Sequence, residues 1–74
     1  MNKAQNIAFN YIENLINESK QSFTWSELRD TIQESNVTIK NWMTIRAVLQ
    51  HFKNRGLIVR DEDISTEKYI LNTN

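Results

Sequence analysis

The sequence predicts a mainly helical α+β domain in which three helices are closed by a C-terminal β-hairpin. Three observations carry this expectation. Apolar residues recur at helical spacing in three segments, the last spanning residues 39–55. Gly56, the only glycine in a chain without proline, follows that segment directly. Two β-prone runs, Leu57-Ile58-Val59-Arg60 and Lys68-Tyr69-Ile70-Leu71, then flank a polar stretch.

The first helix is expected over residues 4–18. Ile7, Tyr11 and Leu15 recur every four residues with Ala8, Ile12 and Ile16 beside them, which makes a wide apolar stripe. The polar stretch Ser19 to Ser22 ends it, and Phe23-Thr24 reads as a short extended piece. Thr24 or Ser26 caps a second helix, because a hydroxyl oxygen accepts a free backbone N–H at that position. Leu28 and Ile32 mark its buried face, with Trp25 at its start. Glu34 to Val37 reads as a turn in which Asn36 takes positive φ. In the third helix Trp42, Ile45, Leu49 and Phe52 fall at spacings of three, four and three, so they share one side, which Val48 widens. Arg55 suits the negative end of the helix dipole, and Gly56 supplies a left-handed cap. Asp61 to Thr66, interrupted by Ile64, is the expected hairpin loop.

A chain of 74 residues holds one domain, taken here as residues 1–74, and it reads as a complete small protein. A domain of this size buries only about 60% of the surface of its unfolded chain, so its net stability is roughly 3–5 kcal/mol. Its apolar content, 39% with two Trp, two Tyr and three Phe, fills one core and leaves little room for a buried active-site cavity. The absence of cysteine excludes disulfides, thiolate zinc sites and cysteine nucleophiles, and it is compatible with the reducing cytoplasm expected here. No apolar run approaches the roughly 18–20 residues of a membrane span, and Met1 to Asn6 lacks the apolar core of a signal peptide.

Formal net charge is zero, but the charges are segregated. Residues 1–34 sum to −2, residues 35–60 to +5 with no acid, and residues 61–74 to −3. The cations of the middle segment are Lys40, Arg46, Lys53, Arg55 and Arg60. Such a segment reads either as a nucleic-acid-facing element or as an ordinary solvated helix face.

The segment TIRAVLQHFKNRGLIVR, residues 44–60, together with the element order, resembles the winged helix-turn-helix family of DNA-binding domains. The resemblance rests on Thr44, Ile45, Arg46, Leu49, Phe52, Gly56, Leu57 and Ile58, and it extends across residues 4 to 71. Phe23-Thr24-Trp25-Ser26-Glu27-Leu28 looks like the first strand of that family running into its second helix. The resemblance implies a recognition helix in the third position, a hairpin wing, and DNA-backbone contacts by Thr44 and Arg46. Two departures stand out. Asn41 and Trp42 occupy places where many relatives carry Ser or Thr followed by Arg, so one cation is missing. The wing also carries Asp61, Glu62 and Asp63, which phosphates repel, so its tip is expected to stay off DNA while Arg60 at its base remains a candidate contact.

If the apolar stripe of the third helix faces inward, Lys40, Met43, Ala47, Gln50, His51 and Asn54 face outward, with Thr44 and Arg46 on the flanks. Ala47 is small enough to admit base edges, and Gln50 pairs bidentately with adenine. Met43 and Ala47 suit a thymine methyl. Lys40, Thr44, Arg46 and Lys53 suit phosphates, which position a helix without reading sequence. With Asn41 and Arg60 these make the candidate DNA-binding set. Trp42 and Trp25 read as core residues rather than base-stacking platforms. His51, the only histidine, lacks metal-ligating neighbours and a nucleophile partner, so it reads as solvated or phosphate-facing. Asp61-Glu62-Asp63 lacks the central glycine and closing glutamate of a calcium loop. No Gly-rich elbow or phosphate loop surrounds any Ser or Thr. No enzyme activity, cofactor, metal or small-molecule substrate is expected.

The expected function is that of a small transcriptional regulator that places its third helix in the major groove of double-stranded DNA. A module this small buries little surface on DNA, so a homodimer or a protein partner is expected as well. The competing reading is a protein-interaction adaptor or modulator in a transcription or replication complex, with the same core and no DNA contact. Zero net charge and the acidic wing favour the adaptor, and the acid-free run from Ser35 to Arg60 favours DNA.

Overall fold

The computed structural model describes residues 1–62 and 65–72. Its elements are α1 (Lys3–Asn17), β1 (Ser22–Thr24), α2 (Trp25–Glu34), α3 (Met43–Asn54), β2 (Ile58–Arg60) and β3 (Lys68–Leu71). The three helices pack with a three-stranded antiparallel sheet of order β1-β3-β2. The radius of gyration, 11.7 Å, is close to the roughly 11 Å of a compact chain of this length. Among the described residues no helix is long and apolar enough to cross a membrane.

Local chemistry sets the helix boundaries. The Asn2 side chain accepts the Gln5 N–H at 2.8 Å, and the Gln5 side chain accepts the Asn2 N–H at 2.9 Å. Thr24 and Glu27 repeat this reciprocal cap at the start of α2, so Thr24, not Ser26, is the capping residue. Each helix is followed within two residues by a left-handed residue: Ser19 at φ 57°, Asn36 at φ 62° and Gly56 at φ 72°. The N–H groups of Gly56 and Leu57 close the end of α3 onto the carbonyls of Lys53 and Phe52.

The third helix is shorter than its apolar spacing predicts: residues 39–42 lie outside it. The Asn41 carboxamide accepts the Met43 N–H at 2.9 Å and so takes one of the free donors of the first turn. Upstream, Val37 and Ile39 pack against the core, which anchors the α2–α3 connection by tertiary contact. Lys40 therefore precedes α3 instead of lying on its face. Arg55 likewise is the residue that caps α3, just past its last turn. In α1 the buried line is Ala4, Ala8 and Ile12, with Ile7, Tyr11 and Leu15 only half-buried beside it.

One core joins all the elements. Ile12 of α1, Leu28 and Ile32 of α2, Ile45, Leu49 and Phe52 of α3, and Phe23, Ile58 and Tyr69 of the sheet are all buried. Phe52 lies 4.9 Å from the Phe9 ring, and Phe23 stacks on Tyr69 at 5.4 Å. Among the described residues the core takes in no charged side chain. Phe23-Thr24 does more than extend: with Ser22 it pairs with β3, placing Phe23 opposite Tyr69. On the other side of β3, Val59 faces Ile70 and Arg60 faces Tyr69. The Trp25 N–H donates to the Glu67 carbonyl at 2.9 Å and carries the β1–β3 pairing one step into the hairpin.

Candidate nucleic-acid interface

With Ile45, Val48, Leu49 and Phe52 buried, α3 turns Met43, Ala47, Gln50, His51, Lys53 and Asn54 to solvent. This is the inside–outside division that the spacing of the stripe predicts. Met43 is 66% exposed, large for an apolar residue on a small domain. Ala47 leaves a shallow centre on the face. The Gln50 amide donates to the Asn54 carboxamide oxygen at 2.7 Å, one turn further on. His51 is exposed, but its ring packs against Phe9 and Phe52 with centroids 5.6 Å away in each case. It is an aromatic cover for the core edge more than a freely solvated group.

The residues ahead of α3 are tied to its start. Thr44 donates its hydroxyl to the Asn41 carbonyl at 2.9 Å, while the Gln5 side chain donates to the Thr44 carbonyl at 3.0 Å. Asn41, one residue ahead of the N-cap Trp42, thus meets the first turn through both its side chain and its backbone carbonyl. Lys40 is exposed beside it. Among the described residues Lys40, Lys53 and Arg55 make no ion pair.

Arg46 is arranged differently. Its two terminal nitrogens donate to both oxygens of Glu67, at 2.7 and 3.1 Å. Its guanidinium lies 4.1 Å from the Trp25 ring centre, and Trp25 in turn meets Trp42 edge-on at 5.7 Å. Tyr69 donates its hydroxyl to Glu67 Oε2 at 2.5 Å, and Arg60 Nη1 stands 3.9 Å from the same oxygen. The hydrogen bond from Arg46 holds the Glu67 carboxyl below the ordinary glutamate range, against the opposing effect of burial. The same bond raises Arg46 above its already high value. Tyr69 is pushed up first by burial and then by its bond to the carboxylate.

Glu67 is the residue that sequence reasoning missed. It lies outside the acid-free segment, yet the fold returns it to that segment and neutralises Arg46. Strand alternation carries the signal: Glu67 is two residues before Tyr69, so a buried Tyr69 puts Glu67 on the same side of the strand. In the connection between β2 and β3, Glu62 is exposed and Asp61 partly so, while Asp63 and Ile64 lie outside the described residues.

The depressed Glu67 carboxyl makes a signed prediction. A carboxyl with a lower pKa folded than unfolded stabilises the fold above its unfolded pKa and loses that contribution as pH falls through its folded pKa. The pair is partly open to water, with side-chain exposures of 40% for Arg46 and 21% for Glu67, so its contribution is about 1 kcal/mol or less. Near pH 7, Glu67→Gln is expected to lower the melting temperature by up to about 4–8 °C. The gap between the two proteins is expected to close as the buffer falls from about pH 5 to about pH 3. Melting curves across that range check this, and a gap independent of pH contradicts it.

No family model, curated protein or solved structure matches this chain.

Proposed function

We propose that the domain is a winged helix-turn-helix that binds double-stranded DNA through the exposed face of α3, in the role of a transcriptional regulator. One observation carries the reading. From Lys40 to Asn54 the chain contributes no acid of its own, and the solvent side of α3 is small at its centre, with Lys40 ahead of it, Lys53 on it and Glu67 reaching only Arg46 at its flank. An α-helix fits the major groove of B-DNA, where a short residue at the centre permits close approach. Gln50 and Met43 then reach base edges, while Lys40, Lys53 and Thr44 hold phosphates. The three helices and the antiparallel sheet support this layout, with β2 and β3 as the arms of the wing. The acidic Glu62 argues that the wing tip stays off the backbone.

A second reading, the protein-interaction adaptor, is favoured by the opposite side of the sheet. Val59 and Ile70 face each other across β2 and β3 and are 58% and 46% exposed. A cross-strand apolar pair in water suits a protein partner.

The test uses Gln50, whose exposed side chain hydrogen-bonds Asn54 and stands outside the core. With a preferred duplex selected from a random pool, Gln50→Ala is expected to weaken binding by about 1–3 kcal/mol while sparing random DNA. Equal affinity of both proteins for both duplexes argues that α3 reads no bases. Failure of the parent to bind any duplex at low salt favours the adaptor.

A further inference from the structure

We infer that Arg46, Arg60 and Tyr69 form a phosphate subsite at the rim of the α3 face, and that Glu67 closes it from within as the chain's own counter-ion. This inference rests on the proposed DNA reading and adds a regulated contact to it. Arg46 is three residues from Met43, one from Ala47 and four from Gln50, so it borders the exposed face directly.

The donors of the cradle exceed what one carboxylate uses. Glu67 Oε2 already receives Arg46 Nη1 at 2.7 Å and the Tyr69 hydroxyl at 2.5 Å. Arg60 reaches only to 3.9 Å from that oxygen, and its buried Nε has no hydrogen-bond partner among the described residues. Two guanidinium charges thus face one carboxylate charge. A phosphodiester carries a single negative charge shared by two oxygens, as a carboxylate does, and therefore takes the same donors. The Trp25 ring beneath Arg46 holds the guanidinium in place whichever anion fills the cradle.

In this arrangement every duplex phosphate at the rim must displace Glu67 before Arg46 and Arg60 serve it. Parent, E67Q, R46A and the double variant are titrated with a mixed-sequence duplex over a salt series, after melting curves show each folded. E67Q is expected to bind roughly tenfold tighter, with a salt slope steeper by about one to two. Arg46→Ala is expected to cost several-fold more in the E67Q background than in the parent, a coupling that a purely structural role for Glu67 does not produce. If E67Q does not fold, the carboxyl carbon of Glu67 in 13C-labelled parent is followed during the titration. A shift on saturation supports displacement, and no shift refutes it. A parent that binds DNA with salt dependence, alongside an E67Q protein with no gain in affinity or slope, overturns the inference and leaves the DNA reading standing. If neither parent nor E67Q binds duplex at low salt, the DNA reading fails and the inference fails with it.

Discussion

Replacing Phe52 by Ala is expected to cost about 3–5 kcal/mol and to leave most of the protein unfolded at room temperature. The loss is large because Phe52 is almost wholly buried and touches two layers at once. It packs on Phe9 of α1 at 4.9 Å, under the His51 ring, in the core shared with Ile58 and Tyr69 of the sheet. A domain of this size has roughly 3–5 kcal/mol in total, so one such cavity consumes nearly all of it. Thermal and urea melts report the change directly. A Phe52→Ala protein that melts within two or so degrees of the parent contradicts the inward register of α3, and the outward assignment of Met43, Ala47 and Gln50 falls with it.

The second large effect is on binding, not stability. Ala47→Glu is expected to abolish binding to every duplex, a loss of more than about 100-fold, because it sets a carboxylate in the centre of the proposed DNA face, where phosphates and base acceptors would converge. Its effect on the fold is expected to be small. Ala47 is exposed in mid-helix, and Glu has a good intrinsic helix propensity. An unchanged melting curve with lost DNA affinity is the expected pair of results. A folded Ala47→Glu protein with the affinity of the parent contradicts the placement of α3 against DNA.

The architecture is legible in the sequence where one physical signal dominates. The alternation of Ile45, Leu49 and Phe52 fixes the face of α3, and Gly56 fixes its end, because a left-handed cap suits a residue without Cβ. Asn36 is found because its short polar side chain tolerates the left-handed region, as most side chains do not. The start of α3 is misread because the apolar spacing continues through Ile39 and Trp42 while the helix begins only at Met43, whose free N–H the Asn41 side chain accepts. Helical periodicity records which residues meet the core, and the irregular connection before α3 also packs Val37 and Ile39 against it. The face of α1 is found but rotated, since small Ala4 and Ala8 lie closer to the core than the larger side chains beside them.

The candidate site divides along a similar line. The solvent face of α3 follows from its register and is visible in the sequence. The pairing of Arg46 with Glu67 spans 21 positions: alternation puts Glu67 on the side of Tyr69, but only the packing of β3 against the helices brings that side to Arg46, which no local pattern encodes. Counting charge along the chain gives residues 35–60 a sum of +5, but folding brings an acid from outside that run onto its central arginine. Lys40, ahead of α3, and Lys53, on it, are exposed and make no ion pair among the described residues. Arg46 and Arg60 acquire a partner, and with it a dependence on Glu67.

The salt dependence of the parent on a mixed-sequence duplex is the most direct test of the central claim that the α3 face meets DNA. Each neutralised phosphate contributes a slope of about −0.9 in log affinity against log salt, so Lys40 and Lys53 with one or two further contacts predict a value of about −3 to −4 per domain. A linear fall of that size from about 50 to 200 mM salt is the expected result. No binding at about 50 mM salt, or an affinity indifferent to salt, contradicts it.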